Sequence, residues 1–219
     1  MDALPVFRVP PVTRTLLCIY GVIVVLCYME VVHPLQLMYS NTLIFQQKQY
    51  WRLFTPFFYY GSLNLNTALE IHWIYVVSSA IEEQYFHRRA IDYAVVVSVS
   101  ALLILAARVI GIIDVLFMST MLESVLMYLL SRLLPDQRVA LFAVIEAPMR
   151  LLPAFYCLMM LYNQGTSAVK LNLVSCFIGH CMWYTLEIFP RITGINLLRL
   201  QNHLERLFQA APGDEIVVN

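Results

Sequence analysis

Apolar residues along the chain gather into six runs, at 16–32, 63–81, 91–107, 112–130, 139–161 and 171–189, divided by connections rich in charge or proline. Each run approaches the roughly 20 apolar residues that a helix needs to cross the hydrocarbon of a bilayer. The pattern predicts an all-α polytopic membrane protein with six transmembrane helices. The connection 33–62 does not read as a plain loop: Pro34, Tyr39, Phe45, Tyr50, Trp51, Phe54 and the Phe57-Phe58-Tyr59-Tyr60 run make it amphipathic, suited to the membrane interface. Two runs look short. The first meets Glu30 and the third ends against Arg108, which predicts local thinning of the bilayer.

Polar residues inside the runs follow helical spacing. Asn66 and Glu70 share a face of the second; Ser119, Thr120, Glu123 and Ser124 form a stripe on the fourth; Asn172, Cys176, His180, Trp183 and Glu187 line the sixth. An ionisable group in hydrocarbon costs about 2.5–3.5 kcal/mol even on insertion scales, so something compensates these. Hydrogen bonds between helices account for any one of them, and a shared water-filled groove accounts for all three faces together. The fifth run holds Glu146, Pro148, Arg150 and Pro153. If the helix survives its prolines, Glu146 and Arg150 pair at i,i+4 spacing; otherwise the charged part is interfacial and the element begins near Leu151.

Composition narrows the classes. Of 219 residues, 60% are hydrophobic and 13% charged, with a mean hydropathy of +0.71, too apolar for one water-soluble core. Fourteen basic residues balance fourteen acidic ones, which excludes a basic field for nucleic acid. The five cysteines lie in apolar stretches without metal-ligand spacing or a disulfide framework, and no cofactor is implied. Arg8 and Arg14 precede a first run that lacks a small-residue cleavage site, so it reads as a retained signal anchor. Alternate connections carry nine basic residues on the side of the N-terminus and four on the other, with Arg150 inside the fifth run. Both termini are therefore expected in the cytosol.

Two catalytic or transport readings stand beside a non-catalytic one. An intramembrane serine protease would use His180 as base with Ser119 or Ser124 as nucleophile. Neither serine has glycine neighbours to form a tight turn and an oxyanion site, and Glu123 beside Ser124 would oppose a developing oxyanion. A solute transporter would exploit Glu70, Glu123, Glu146 and Arg150. The two three-run halves lack matching helix breaks, which such transporters usually display.

Pro10-Pro11-Val12-Thr13-Arg14, Tyr50-Trp51-Arg52-Leu53-Phe54-Thr55 with Gly61, Glu82-Glu83, Arg88 to Asp92, Tyr128 to Arg132, Gly179-His180 and Glu187-Ile188-Phe189-Pro190 follow one another in an order that resembles the derlins, rhomboid-fold pseudoproteases of the endoplasmic reticulum membrane. The resemblance implies a rhomboid-like membrane domain over 1–190 and a short cytosolic tail over 191–219, as in the smaller derlins of HRD-type ubiquitin ligase complexes. It implies a half-channel, with a lateral gate between the second and fifth spans, that passes misfolded proteins toward the cytosol. Groove and gate residues would be Asn66, Glu70, Ser119, Glu123, Glu146, Arg150 and His180. Trp51, Arg52, Gly61, Gly179 and His180 match the family motifs; alone, Trp51 and Arg52 also fit an interfacial anchor, with Arg52 on lipid phosphate. Implied partners are the membrane ubiquitin ligase, its scaffold subunit, its lumenal lectin or adaptor subunits, misfolded clients and lipid. Direct contact with the AAA ATPase is not implied, because the tail lacks the recruiting segment of longer derlins. Leu197, Leu200, Leu204 and Leu207 form the apolar stripe of a tail helix, which the resemblance assigns to the scaffold subunit.

Overall fold

The computed structural model describes residues 9–141, 145–194 and 198, and these are almost entirely helical. Helix α1 (Pro11–Tyr28) opens with a proline at its first turn, where the missing N–H is no loss. Two short helices, α2 (Pro34–Leu37) and α3 (Asn41–Phe45), and two 3₁₀ turns (Tyr50–Leu53 and Thr55–Phe57) make up the long first connection. Then come α4 (Leu65–Ala80), α5 (Ala90–Ile110), α6 (Ser119–Leu133), α7 (Leu152–Gln164), α8 (Thr166–Trp183) and the short α9 (Phe189–Thr193). Helices α4 and α8 each close in a π turn, at Ile81–Tyr85 and Tyr184–Ile188, and the Tyr85 hydroxyl binds the Glu187 carboxylate across the two turns.

Helices α1 and α5 are the two described helices long and apolar enough to cross a membrane, and most of their side chains face outward. Helix α6 is the opposite case. Twelve of its fifteen residues are buried, and α4, α5, α7 and α8 all pack on it. A run that carries Ser119, Glu123 and Ser124 is thus enclosed by protein, while the two long apolar helices take the periphery. Helices α4 and α7 both pack on α6 rather than extensively on each other.

Three boundaries differ from those expected. Helix α5 runs through Arg108, whose guanidinium turns back to the Val115 carbonyl (2.9 Å) and Asp114 (2.8 Å), so the third run is longer than it looked. Gly111, in the left-handed region (φ 87°), then ends α5, and the fourth helix begins at Ser119 rather than near 112. The fifth run divides: Arg138–Leu141 and Ile145–Pro148 form an antiparallel hairpin, β1 and β2, with Arg138 opposite Pro148 and Ala140 opposite Glu146. Pro148 and Pro153 explain the break, since neither offers a donor to a continuous helix. Glu146 therefore lies on a strand and Arg150 on an exposed turn bound to Asp136 (3.0 Å), and the helical i,i+4 pair does not form. Arg150 thereby joins the connection that carries Arg132 and Arg138.

Candidate functional site

The arginine of the first connection faces inward. Arg52 is 6% exposed and donates from Nη1 to the carbonyls of Leu35 (2.8 Å) and Met38 (2.9 Å), and from Nε to Gln49 (2.7 Å). This clamp on backbone replaces the expected contact with lipid phosphate, while neighbouring Trp51 is exposed and free to anchor. Tyr39 continues the tie: its N–H donates to the Leu116 carbonyl (3.0 Å), and the Arg108 guanidinium stacks 5.0 Å over its ring. Burial pushes the Tyr39 phenol up and Arg108 opposes the shift. Gly61, at φ 123°, turns the chain into α4 in a conformation that L side chains rarely adopt.

Two backbone-directed bonds then fasten this connection to the start of α6. Met118 N–H donates to the Pro56 carbonyl (2.9 Å), and the Ser119 hydroxyl donates to the Tyr59 carbonyl (2.7 Å). Ser124 commits its hydroxyl to the Thr120 carbonyl (2.8 Å). Both candidate nucleophiles thus spend their hydrogens on carbonyls. His180, on α8, binds the Tyr128 hydroxyl through Nδ1 (2.9 Å), and Tyr128 lies more than two turns beyond Ser119 on α6. Arg132 donates to the same phenol (3.1 Å) and lies over the rings of Tyr128 and Trp183. Gly179 fits this arrangement because a Cβ there would come within 3.0 Å of the Tyr128 side chain.

A second polar cluster lies where α4, α6 and α7 meet the first connection. Glu123 is 1% exposed, and its Oε2 accepts from the Tyr60 hydroxyl (2.9 Å). Burial, with Tyr20 and Glu123 acting the same way, raises the Tyr60 pKa well above its ordinary value, so the phenol keeps the hydrogen it donates. Glu70, half-buried on α4, is the carboxyl neighbour of Glu123, and Tyr156 of α7 lies within electrostatic reach of both. Asn66, one turn before Glu70, is exposed. Deeper between α6, α7 and α8, a cavity of about 50 Å³ is lined by Thr120, Ser124, Asn172 and Ser175. The Oδ1 of Asn172 and the Oε1 of Glu123 have no hydrogen-bond partner among the described residues. A crevice of about 330 Å³ between α1, the first connection and α5 is lined by apolar groups such as Leu16, Phe57 and Val97.

The structure thus brings Glu70 and Glu123 together, keeps Ser119 and His180 on separate partners, and sets Glu146 and Arg150 outside the helices. Leu197, Leu200, Leu204 and Leu207 lie outside the described residues. Sequence reasoning missed Glu82 as a structural centre. Its carboxylate, 4% exposed, accepts from the N–H groups of Val12 (2.9 Å) and Thr13 (2.8 Å) and from the Thr13 hydroxyl (2.8 Å). Thr13 also meets Ser78, which binds Tyr93. The signal was a carboxylate four residues after Ser78, placed to reach the bare start of α1.

A family model for Der1-like proteins matches residues 9–200. The chain belongs to the Der1-like family. It is similar to Derlin-1 of Oryza sativa subsp. japonica, 26% identical over 192 residues that cover 87% of this chain and 78% of the relative. It is 24% identical to Derlin-2.2 of Arabidopsis thaliana over 94% of the chain and 87% of that protein. A probable derlin-2 homolog of Dictyostelium discoideum is 25% identical over 91% and 80%. Membership and the two long apolar helices together make this Der1-like chain a membrane protein.

Proposed function

We propose that this Der1-like protein is a non-catalytic component of endoplasmic-reticulum-associated degradation, seated in the endoplasmic reticulum membrane beside an HRD-type ubiquitin ligase. Its six crossings would be α1, α4, α5, α6, α7 and α8, with both termini in the cytosol. Arg150 raises the basic residues on that side from nine to ten, against four on the lumenal side. Misfolded polypeptides are taken up laterally between α4 and α7, along Asn66, Glu70 and Glu123, and handed across as half of a channel. The tail stripe docks on the ligase's scaffold subunit, lumenal lectin or adaptor subunits present clients, and the AAA ATPase acts indirectly.

The observation that carries the non-catalytic reading is the pairing at α6 and α8. The hydroxyl of Ser119 is held by the Tyr59 carbonyl, that of Ser124 by the Thr120 carbonyl, and the imidazole of His180 by the Tyr128 phenol, so neither serine is paired with a base. The test uses membranes from cells that carry the full chain in place of their own derlin. A serine-directed fluorophosphonate is expected not to label the protein, and Ser119→Ala is expected to degrade a misfolded client at the wild-type rate. Labelling that vanishes in both Ser119→Ala and His180→Ala would establish a protease instead.

A further inference from the structure

The carboxyls of Glu70 and Glu123 adjoin each other, and no described cation answers them. Arg108 is bound to Asp114, Arg150 to Asp136 and Arg191 to Glu187, while Arg132 stacks on Tyr128 and Trp183. Tyr60 satisfies one oxygen of Glu123; the other, in a residue only 1% exposed, is unpartnered. A buried acceptor left empty in a low-dielectric setting is costly, and an ionised carboxylate has no hydrogen to donate. Ionisable groups within membrane segments almost always face the bundle interior or a water-filled cavity and pair with one another or with backbone carbonyls. Here the pair is two acids, with no cation bound to either among the described residues, and Tyr156 of α7 lies within electrostatic reach of both.

We infer that Glu70 and Glu123 together receive one cationic side chain, a lysine or arginine, carried in by the membrane-embedded segment of a client. The inference rests on the client-handling reading and gives it a substrate class. Glu70, half-buried on α4, meets the incoming ammonium or guanidinium first. The unpartnered Oε1 of Glu123 takes a second N–H, and Tyr60 holds the opposite oxygen in place. Tyr156 of α7, within electrostatic reach of both acids, closes around the apolar stem of the guest residue. An apolar segment gains nothing at this position, so the site would sort chains with a misplaced charge from properly inserted helices.

The test reconstitutes the full chain in lipid nanodiscs and measures energy transfer to labelled leucine-rich peptides of about 24 residues, long enough to span the bilayer. Three peptides differ only at the centre, which is lysine, glutamine or leucine. The lysine peptide is expected to bind at least about tenfold more tightly than the leucine peptide, a difference of about 1.4 kcal/mol. Glu70→Gln, at a half-buried position, is expected to reduce that preference, and Glu70→Gln/Glu123→Gln to abolish it, so that the three peptides bind alike. Glu83→Gln is expected to change nothing. Equal binding of all three peptides to the wild type, or a lysine preference that survives the double substitution, overturns the inference and leaves client handling standing. Failure of every peptide to bind would overturn both.

Discussion

Glu82 gives α1 the cap its own sequence lacks. Pro10 precedes the helix and offers no side-chain acceptor, so the N–H groups of Val12 and Thr13 would be bare. The Glu82 carboxylate reaches them from the π turn that ends α4, sequence-distant by about seventy positions, and brings a negative charge to the positive end of the helix. Glu82→Gln keeps the size but turns one acceptor into a donor that faces N–H groups. It is expected to cost about 2 kcal/mol, the scale of charge-assisted bonds lost in a buried site. Glu83→Gln, next in the chain and exposed, is expected to stay within about 0.5 kcal/mol of wild type. Denaturant unfolding in mixed micelles distinguishes them, and equal costs at the two positions would refute the capping role. The same residue-level logic explains why Gly179 stands beside His180: the glycine admits the Tyr128 ring that the imidazole binds.

The first connection behaves as an element because Arg52 folds it around one guanidinium. Its planar fork holds the carbonyls of Leu35 within α2 and Met38 just after it, together with the Gln49 side chain, and an ammonium cannot copy that geometry. Arg52→Lys is expected to speed amide hydrogen exchange throughout 35–57, whereas Trp51→Ala, at an exposed side chain, leaves those rates unchanged. Exchange that is insensitive to Arg52→Lys would mean that Tyr39 and Pro56 alone hold the segment. In sequence this element was visible only as an amphipathic, aromatic stretch, because its hydrogen bonds run to backbone carbonyls that no side-chain pattern reports. The outer helices α1 and α5 were legible within a few residues, since lipid-facing surfaces demand uninterrupted apolar runs. The fifth was not: an apolar stretch such as Val139-Ala140-Leu141 suits helix and strand alike, and Pro148 and Pro153 were the physical signal that only its second half is helical. The acids of the candidate site were legible because ionisable groups are rare in such runs. The partner Tyr60 was not, because the aromatic run that holds it reads as interfacial until the fold brings it inward.

The length of α7 constrains the whole molecule. At 1.5 Å per residue its 13 residues rise about 20 Å, against about 30 Å of hydrocarbon in an ordinary bilayer. The 21 residues of α5 rise about 31 Å and span comfortably once the helix is followed through Arg108. Helix α6 is also short, at 15 residues, but it is enclosed by protein and imposes nothing on lipid. Gly165 joins α7 directly to α8, and a 3₁₀ turn with the exposed Arg150 precedes it, so neither end can lengthen the apolar span. Leu158, Leu161 and Tyr162 are exposed along α7, so this helix faces the surroundings rather than the core. With α7 as one of the proposed crossings, the mismatch falls on one face, and lipid is expected to answer it by thinning there, at a modest cost per ångström. Under the proposed function, such thinning would shorten the distance a client segment must cross near Glu70 and Tyr156. Density maps of the protein in nanodiscs are expected to show the bilayer several ångströms thinner beside α7 than beside α1 and α5. A bilayer of uniform thickness around all three helices would show that α7 tilts or is shielded by a partner, and that the proposed client passage gains no help from the membrane.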